Sequence, residues 1–260
     1  GNVPPQCLVH ARKLRWLQLN NAGTEGYCDG ALPEDVILTN ATGAYGLAIS
    51  EHMIGMLFEL QKKLNLYSRN QREHLWQREG HVRIIEGSRV LVVGLGDIGT
   101  AFARKMKALG CRTTGIKRRE GRRPEGVDSL YTLERLEQML PLADIVALCL
   151  PGNQDTYHLM NEERLALLKK DAVLLNVGRG KTLDTEALTR ALQEGRIAGA
   201  CLDVTDPEPL PSEHPLWEMD NVILTPHVSG LFEQPETLEK ILDICIENLE
   251  CYLVKRPLRN

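Results

Sequence analysis

Three residues of this sequence, Arg179, Glu208 and His227, could together do acid/base chemistry on a small carboxylic acid. An arginine can bind a carboxylate through two parallel hydrogen bonds. A histidine can give or take a proton near neutral pH, and a carboxylate beside it favours the imidazolium form. Taken singly, these residues would more often be a surface ion pair, a loop charge and a core histidine. Their shared position, just past the ends of predicted strands, favours the catalytic interpretation.

A glycine-rich segment follows a predicted strand at residues 89–93 and opens a predicted helix. It reads Gly94-Leu95-Gly96-Asp97-Ile98-Gly99 and matches GxGxxG. In this context Gly94 permits a tight turn, Gly96 lets the backbone approach a pyrophosphate, and Gly99 lets helix and strand pack closely. The first N–H groups of the helix would then face the phosphates. A structural turn without a ligand is the alternative, which the strand–turn–helix context disfavours.

A basic cluster stands roughly 20 residues after the glycine turn, where an NAD-specific site would carry an acidic residue for the ribose 2′-hydroxyl. This sequence has Lys117, Arg118 and Arg119 there, and cations at that place suit a 2′-phosphate. Arg122 and Arg123 extend the cluster, so a solvated basic loop and a nucleic-acid or nuclear-localisation patch remain alternatives. The position after the second predicted strand favours NADP (NADPH) as cofactor, with NAD as the second choice.

Apolar runs alternate with helical patterns through the central part of the chain. The runs lie at residues 90–93, 113–116, 145–150, 172–177, 198–204 and 222–225, with a weaker one at 127–131. They are nearly all apolar, as expected of parallel strands covered on both faces. One helix is predicted over residues 97–109, ending at Gly110, and another from the N-cap Asp184 to Gly195. The pattern predicts an α/β fold with a doubly wound parallel sheet of the Rossmann type.

Two longer apolar stripes flank this region. One helix is predicted over residues 44–66, with Ile49, Met53, Met56, Leu57 and Leu60 at helical spacing, and a later one carries Leu238, Ile241, Leu242, Cys245, Leu249 and Tyr252. Both stripes are interpreted as core, and the width of the first also suggests a dimer contact. Short strands are predicted at residues 16–19 and 36–39. The hinge candidates are Gly43 with Gly46, and Ser229 with Gly230.

Bulk composition disfavours several classes of protein. The 260 residues carry a net charge of −4, without the excess of Lys and Arg that nucleic-acid binding needs. No apolar run is long enough to span a bilayer, so no membrane partner is expected. The seven cysteines are scattered without a CxxC pair, so neither a zinc site nor a disulfide framework is predicted, and no metal is expected. A reducing cytoplasm fits this cysteine usage best.

Together with these motifs, longer matches make the sequence resemble the D-2-hydroxyacid dehydrogenase family over nearly its whole length. The matches are Leu175-Asn176-Val177-Gly178-Arg179-Gly180, Cys201-Leu202-Asp203-Val204 with Glu208-Pro209-Leu210, Pro215-Leu216-Trp217, and Thr225-Pro226-His227-Val228-Ser229-Gly230. The resemblance implies that Arg179 binds the substrate carboxylate and polarises its carbonyl group. It also implies that His227 is the acid/base and that Glu208 orients it.

The same resemblance implies a set of cofactor contacts. These are Asp203, Val177, Gly178, Gly230 and the loop from Pro151 to Thr156, beside Gly94, Gly96, Asp97, Ile98 and Gly99 of the glycine turn. Asp203 would hold the nicotinamide carboxamide. Basic residues at this position resemble those of the glyoxylate/hydroxypyruvate reductase branch of the family, whose members often use NADPH.

The sequence departs from the family in its substrate domain, which the family builds on a complete N-terminal α/β unit. Only residues 1–43 precede the helix predicted at 44–66, so the flavodoxin-like substrate domain is expected to be incomplete. Because the chain starts at Gly1 instead of Met, we expect its start to have been cut or processed. The segment Asn20-Asn21-Ala22-Gly23-Thr24-Glu25 resembles the family's later substrate loop, so Ala22 and Gly23 are expected to bind substrate together with Arg179 and His227. The predicted domains are 43–231 for dinucleotide binding, and 1–42 with 232–260 for the partial substrate domain.

The activity that the resemblance implies is hydride transfer between NAD(P)H and C2 of a small 2-oxo or 2-hydroxy acid, by an oxidoreductase. A phosphoglycerate dehydrogenase is the alternative within the family, whereas formate dehydrogenase is disfavoured because its reaction has no alkoxide to protonate. An NAD(P)-binding sensor or transcriptional corepressor on the same fold is the alternative from another class. A homodimer is expected, because the family uses the region of the helix at 44–66 in a twofold contact.

Overall fold

The computed structural model describes residues 1–8, 10–28 and 30–260. These residues form two compact units, one made of Gly1–Ala48 with Gly230–Asn260 and the other of Ile49–Ser229. In chain order the helices and strands are α1 (Pro5–Leu8), β1 (Trp16–Gln18), β2 (Ile37–Thr39), α2 (Gly46–Gln61), α3 (Leu64–Arg72), β3 (Arg89–Val93), α4 (Asp97–Ala108), β4 (Arg112–Lys117), β5 (Ser129–Thr132), α5 (Leu136–Met139), β6 (Ile145–Leu148), α6 (Glu162–Ala166), β7 (Val173–Asn176), α7 (Thr185–Gln193), β8 (Gly199–Leu202), β9 (Val222–Leu224) and α8 (Pro235–Leu253). None of the helices within these residues has the length and apolar character that a membrane span needs.

The larger unit is built on seven parallel strands in the order β5-β4-β3-β6-β7-β8-β9. The chain adds strands on one side of β3, as far as β5, and then continues on the other side from β6 to β9. The order therefore reverses between β3 and β6, and at such a point open α/β sheets bind their ligands. The predicted doubly wound Rossmann sheet is confirmed, and the weak run at 127–131 corresponds to β5.

Burial explains why the strands were readable in the sequence. All four residues of β6, of β7 and of β8 are buried, so these strands show unbroken apolar runs instead of alternation. The predicted helix ends are also confirmed. Asp184 caps α7 by accepting the Ala187 N–H at 2.9 Å, and Gly110 and Gly195 follow α4 and α7 with φ of 83° and 62°. Glycine adopts such angles without strain, which lets the chain turn back toward the sheet.

The single helix predicted over residues 44–66 is wrong at its C-terminal end. α2 ends at Gln61, and Lys63, with a left-handed φ of 57°, separates it from α3. The break coincides with a long-range contact, because the Gln61 carbonyl oxygen accepts the Arg83 N–H at 3.2 Å. The apolar stripe of α2 is core as predicted, with Ile49, Met53, Met56 and Leu57 buried.

Within the smaller unit, β1 and β2 form a parallel pair that α8 supports. Trp16 of β1 stacks on Tyr252 of α8, with ring centroids 5.2 Å apart. Asn248 of α8 is fully buried, and its Nδ2 donates to Gln18 Oε1 at 2.8 Å and to the Arg259 carbonyl oxygen at 2.9 Å. A polar residue therefore occupies the inner face of this helix, where its amide is fully used.

The core stripe predicted on α8 is consequently wrong in part. The buried positions are Thr237, Ile241, Ile244 and Asn248, whereas Leu238, Leu242 and Leu249 are exposed in this structure. The helix is rotated relative to the apolar pattern because Asn248 must face β1 to reach its hydrogen-bond partners. A hydropathy pattern treats such a residue as exposed and so misplaces the inner face.

Candidate active site

Strands β7, β8 and β9 end in register at the carboxyl edge of the sheet. Arg179, Glu208 and His227 follow these three strand ends in order. All three therefore lie on the edge at which open α/β sheets bind ligands, in the positions that the apolar runs predicted. The roles of the three side chains depend on their detailed contacts.

His227 and Glu208 are in direct contact. Nδ1 of His227 lies 2.6 Å from Glu208 Oε1. A carboxylate only accepts hydrogen bonds, so Nδ1 carries a hydrogen and Nε2 is the nitrogen that can exchange a proton with another molecule. Within the described part of the chain, Nε2 of His227 has no hydrogen-bond partner. The His227 and Glu208 side chains are 47% and 42% exposed, so a small molecule can reach the pair.

The backbone of Arg179 is fixed by its own carbonyl oxygen. That oxygen accepts hydrogen bonds from Asn176 Nδ2 at 3.1 Å, from the Thr182 N–H at 3.1 Å and from Thr182 Oγ1 at 2.7 Å. Asn176 is fully buried at the end of β7, and Thr182 is fully buried in the turn that follows. Both residues therefore support the position of Arg179, although the sequence motifs drew attention only to Asn176.

Gly178 and Gly180, on either side of Arg179, lie too close to neighbouring backbone atoms to carry a side chain. A Cβ at Gly180 would overlap the carbonyl oxygen of Thr205, in the segment that leads to Glu208. The Arg179 guanidinium donates from Nη1 to the Gly178 carbonyl oxygen at 2.8 Å. Its aliphatic part lies against Gly152, where a Cβ would come within 3.0 Å of Arg179 Cγ. The half-buried arginine is thus positioned before any substrate arrives.

Asp203 is a buried carboxylate at the end of β8, with a side chain 0% exposed. Its oxygens accept hydrogen bonds from Thr225 Oγ1 at 2.6 Å, the Val228 N–H at 2.9 Å, the Ser229 N–H at 3.2 Å and the Ser229 hydroxyl. Its carbonyl oxygen accepts the His227 N–H at 2.8 Å. In this structure Asp203 therefore supports the segment that carries His227, and its contact with a nicotinamide carboxamide stays a prediction.

The three glycines of the GxGxxG turn differ in what a side chain would meet. Gly94 has φ of 96°, and a Cβ there would lie 2.5 Å from the Cys149 carbonyl oxygen. A Cβ at Gly99 would overlap the Gly94 carbonyl oxygen and lie 3.1 Å from Val92 Cγ1. At Gly96, by contrast, no described atom lies within 4 Å of that position. Gly94 and Gly99 thus serve the turn itself, while Gly96 leaves open space in front of the backbone.

That open space lies at the start of a helix. Gly96 is the N-cap of α4, and Asp97 and Ile98, both half-buried, are its first residues. α4 has 12 residues, and the first N–H groups of a helix have no partner inside it. Open space next to such N–H groups fits a phosphate.

The basic cluster follows the strand that neighbours this turn. β4 pairs with β3, and the Gly94 N–H donates to the Ile116 carbonyl oxygen at 3.0 Å. Lys117 is the last residue of β4, and Arg118 and Arg119 come next and are exposed. In residues 1–8, 10–28 and 30–260 the structure shows no ion pair for these three cations. Their charges are therefore available to an anion beside the glycine turn.

The remaining predicted cofactor residues follow the ends of β6 and β7, except Gly230, which comes after β9. The loop after β6 is closed by Thr156 Oγ1, which donates to the Pro151 carbonyl oxygen at 2.7 Å. Val177 is buried after β7, and a Cβ at Gly178 would come within 2.7 Å of the Leu150 nitrogen. Gly230 directly follows Ser229 and is half-buried. The contacts of these residues with a cofactor stay predictions.

The predicted substrate loop belongs to the smaller unit, where Ala22 and Gly23 are half-buried in the irregular segment after β1. Tyr45 supports this loop, because its hydroxyl donates to the Asn20 carbonyl oxygen. Burial first, and the charge of Glu233 second, raise the pKa of Tyr45 to about 12, so its hydroxyl stays a donor at neutral pH. The role of Ala22 and Gly23 in substrate binding stays a prediction.

Sequence reasoning missed one histidine near the site. His52 of α2 lies with Nε2 3.0 Å from Thr225 Oγ1 and 3.9 Å from Asp203 Oδ1. Its side chain is 26% exposed, and its spacing in the helix carries no signal of this contact. In the described ranges no group of three or more His, Cys, Asp or Glu side chains is arranged to hold a metal ion.

Comparisons with known proteins place these features in a family. Residues 54–229 match the profile of the D-isomer specific 2-hydroxyacid dehydrogenase NAD-binding domain. The chain is 34% identical over 226 residues to a glyoxylate reductase of Thermofilum pendens, which covers 84% of this chain and 66% of that protein. It is 32% identical over 264 residues to a glyoxylate/hydroxypyruvate reductase of Arabidopsis thaliana, which covers 98% of this chain and 78% of that protein.

A solved structure shares the fold. The D-isomer specific 2-hydroxyacid dehydrogenase from Xanthobacter autotrophicus Py2, in complex with NADPH and MES, matches with a TM-score of 0.83 at 34% identity, over 95% of this chain and 77% of that chain. The chain thus spans 66% of the Thermofilum protein and a little over three quarters of the other two. Because the profile match covers most of the chain and contains Arg179, Glu208 and His227, the chain belongs to the D-isomer specific 2-hydroxyacid dehydrogenase family.

Proposed function

We propose that this chain reduces C2 of a small 2-oxo acid of the glyoxylate or hydroxypyruvate type, and oxidises the corresponding D-2-hydroxy acid in reverse. The observation that carries the proposal is the 2.6 Å contact between His227 Nδ1 and Glu208 Oε1. This pair stands at the same sheet edge as Arg179, so an acid/base and a carboxylate binder occur together. The names of the Thermofilum and Arabidopsis relatives support the substrate class.

In the proposed reduction each of the three side chains has one task. Arg179 binds the substrate carboxylate and draws charge from the ketone oxygen through its N–H donors. Protonated His227 gives its Nε2 proton to the alkoxide that develops at C2. Glu208 accepts from Nδ1, which fixes the ring and stabilises the imidazolium. In the oxidation, neutral Nε2 accepts the proton of the 2-hydroxyl group.

The glycine turn fits a dinucleotide, because Gly96 borders open space at the N-terminus of α4. A bound nicotinamide cofactor would supply or accept the hydride. We assign the pyrophosphate to the backbone at Gly96 and the 2′-phosphate to Lys117, Arg118 and Arg119, which favours NADPH over NADH. The NADPH in the Xanthobacter structure supports this choice. The other proposed cofactor contacts are Asp203, Val177, Gly178, Gly230 and the loop from Pro151 to Thr156.

Steady-state oxidation of NADPH, followed by absorbance, tests the proposed activity. The expected result is turnover with glyoxylate and with hydroxypyruvate, and weaker turnover when NADH replaces NADPH. Phosphohydroxypyruvate is included in the screen, because a clear preference for it would make the chain a phosphoglycerate dehydrogenase. Tight NADPH binding without turnover of any 2-oxo acid would contradict the proposal and favour a cofactor sensor.

The two compact units suggest a division of labour. We propose that the larger unit, Ile49–Ser229, belongs to the dinucleotide-binding domain predicted at 43–231. We propose that the smaller unit belongs to the substrate domain predicted at 1–42 and 232–260. The backbone around Ala22 and Gly23 is the proposed contribution of that domain to substrate binding. The hydrogen bond from Tyr45 to the Asn20 carbonyl oxygen, which orders this loop, supports the proposal.

We also propose a homodimer, on a surface shifted from the one that the sequence suggested. Most apolar residues of α2 are buried, whereas the segment after α3 exposes Leu75 (46%), Trp76 (105%), Val82 (48%) and Ile84 (76%). Exposed clusters of this kind, with an aromatic residue, are typical of protein interfaces.

Light scattering at micromolar concentration should give a dimer, and Trp76→Asp should give a monomer. Leu142→Asp, at an apolar residue 45% exposed elsewhere on this unit, should remain dimeric. A monomeric wild type would contradict the proposal.

All seven cysteines are free in the structure, and the pKa of the Cys149 thiol is raised to about 12 by burial. Unpaired thiols are typical of proteins in a reducing compartment. We therefore propose a cytoplasmic location.

A further inference from the structure

The segment that carries His227 is wrapped around one buried carboxylate. His227 itself has a left-handed backbone φ of 54°, a conformation that residues other than glycine adopt rarely. Its N–H donates to the carbonyl oxygen of Asp203, and the next two N–H groups, of Val228 and Ser229, donate to the Asp203 carboxylate. The His227 N–H also donates to the Thr225 carbonyl oxygen at 3.0 Å. The unusual conformation of His227 is therefore maintained by hydrogen bonds from three successive N–H groups, each of which donates to Asp203.

Asp203 depends in turn on the Thr225 hydroxyl. Thr225 Oγ1 lies 2.6 Å from Asp203 Oδ1, closer than the Val228 nitrogen, which lies 2.9 Å from the same oxygen. A hydroxyl has one hydrogen, and a carboxylate can only accept, so that hydrogen points to Asp203. The lone pairs of Thr225 Oγ1 are left to accept a second hydrogen bond.

His52 supplies that second hydrogen bond. Its Nε2 lies 3.0 Å from Thr225 Oγ1, and because the hydroxyl hydrogen is already used, Nε2 must be the donor. This assigns the ring tautomer that carries hydrogen on Nε2. Without this donor, the Thr225 hydroxyl could turn toward Met56 Sδ, its other neighbour at 3.7 Å. The donor on α2 therefore selects the orientation of the hydroxyl that serves Asp203.

We propose that His52 is a positioning residue for His227, acting through Thr225 and Asp203. It touches neither substrate nor cofactor in this assignment. Its effect is to hold residues 225–229 so that His227 meets Glu208 at Nδ1 and presents Nε2. The kinetic part of this inference rests on the proposed reductase function, whereas the structural part concerns only the order of residues 225–229.

The central comparison is between His52→Leu, which removes the donor at similar size, and His52→Gln, whose amide can donate from nearly the same place. Glu51→Gln is the matched control, because Glu51 is the adjacent residue of α2, is 66% exposed and pairs with Lys105. Hydrogen exchange of the amides at residues 227–229, followed by mass spectrometry, reports on the segment without any activity. One lost hydrogen bond should raise exchange there about fivefold in His52→Leu, with wild-type rates in the other two variants.

Kinetics give a second readout. His52→Leu should lower kcat about tenfold, because a misplaced proton donor slows the chemical step, while KM and NADPH affinity change less than about twofold. His52→Gln should restore most of kcat. In a Thr225→Val background, adding His52→Leu should have no further effect, because the path through the hydroxyl is already broken.

Several results would overturn the proposal. These are unchanged exchange at residues 227–229 in His52→Leu, equal losses in the Leu and Gln variants, or additive losses with Thr225→Val. If His52→Leu fails to fold, the His52→Gln and Thr225→Val variants decide by the same exchange measurement. If wild type reduces no 2-oxo acid, the proposed function fails, and the exchange data alone then support or overturn the link between His52 and residues 225–229.

Discussion

At the amino edge of the seven-stranded sheet, carboxylates are fully engaged by neighbouring structure. Asp144, before β6, accepts the Arg89 N–H at 2.8 Å and Lys169 Nζ at 2.6 Å. Burial raises the pKa of Asp144, but the Lys169 and Arg89 hydrogen bonds outweigh it and hold this pKa below the ordinary value. Asp128, before β5, accepts Lys107 Nζ at 2.6 Å, and this bond is the main cause of a lowered pKa for Asp128.

At the carboxyl edge of the same sheet, polar groups keep unused capacity. His227 contacts Glu208 through only one ring nitrogen, and the pair is nearly half exposed. The cations Lys117, Arg118 and Arg119 form no ion pair within the described part of the chain. The buried Asp203 at this edge is fully hydrogen-bonded, and it supports the backbone around His227. The amino edge therefore contributes to stability, whereas the carboxyl edge holds groups that another molecule can use.

The sharpest test of this contrast is His227→Ala. We expect turnover to fall by about 10²–10⁴-fold in both directions, because general acid–base catalysis contributes that much. The melting temperature and NADPH affinity should change little, since the exposed side chain supports neither the core nor the glycine turn. His10→Ala, at an exposed histidine of the smaller unit, is the control. Near-normal activity in His227→Ala would remove this residue from the mechanism.

Glu208→Gln should have the next largest effect. The amide can still accept a hydrogen bond from His227 Nδ1, but it removes the negative charge beside the proton donor. The proton donor is then less well stabilised, so kcat for reduction should fall about tenfold, with KM and NADPH affinity nearly unchanged. Glu213→Gln, at an exposed residue whose carboxylate accepts from the adjacent Ser212 hydroxyl at 3.1 Å, should leave kcat unchanged. A wild-type kcat in Glu208→Gln would show that the pair is not coupled in catalysis.

Arg118→Ala tests the unpaired cations beside the glycine turn. A charge-assisted contact to a 2′-phosphate contributes about 1.5–3 kcal/mol, so the KM for NADPH should rise about tenfold or more. The KM for NADH should hardly change, because NADH lacks that phosphate. Arg122→Ala, farther along the exposed loop, is the matched control. A wild-type preference for NADH would contradict the assignment of this cluster.

Asp144→Asn tests the amino edge, and here stability should change while activity does not. We expect kcat to be unchanged and the free energy of unfolding to be about 1 kcal/mol lower at neutral pH. Because folding lowers the pKa of Asp144, its stabilising contribution is complete above the unfolded value and is lost as pH falls through the folded value. The difference in melting temperature from wild type should therefore shrink below about pH 4. Asp171→Asn, in a more exposed ion pair with Arg83, should cost less. A loss of kcat in Asp144→Asn would break the distinction between the two edges.

Local patterns were sufficient to predict the sheet, the glycine turn and the helix caps. A strand buried on both faces needs consecutive apolar residues, and a turn such as that at Gly94 needs glycine because of its φ and its neighbours. Such constraints act within a few positions of the chain and so are visible in its order. The placement of Arg179, Glu208 and His227 after strand ends followed from the same patterns.

The detailed geometry depended on contacts between distant residues. Residue order alone did not show that His227 uses Nδ1 toward Glu208, and so leaves Nε2 for a substrate. The inner face of α8 is set by the bond between Asn248 and Gln18, 230 positions apart, against the apolar pattern of that helix. His52 contacts Thr225, 173 positions away in the chain, and the residues around His52 give no pattern that predicts this hydrogen bond. The sequence by itself determined which residue types stand at the edge of the sheet, and only the tertiary structure decided which atoms meet there, because hydrogen bonds form between neighbours in space whatever their separation in the chain.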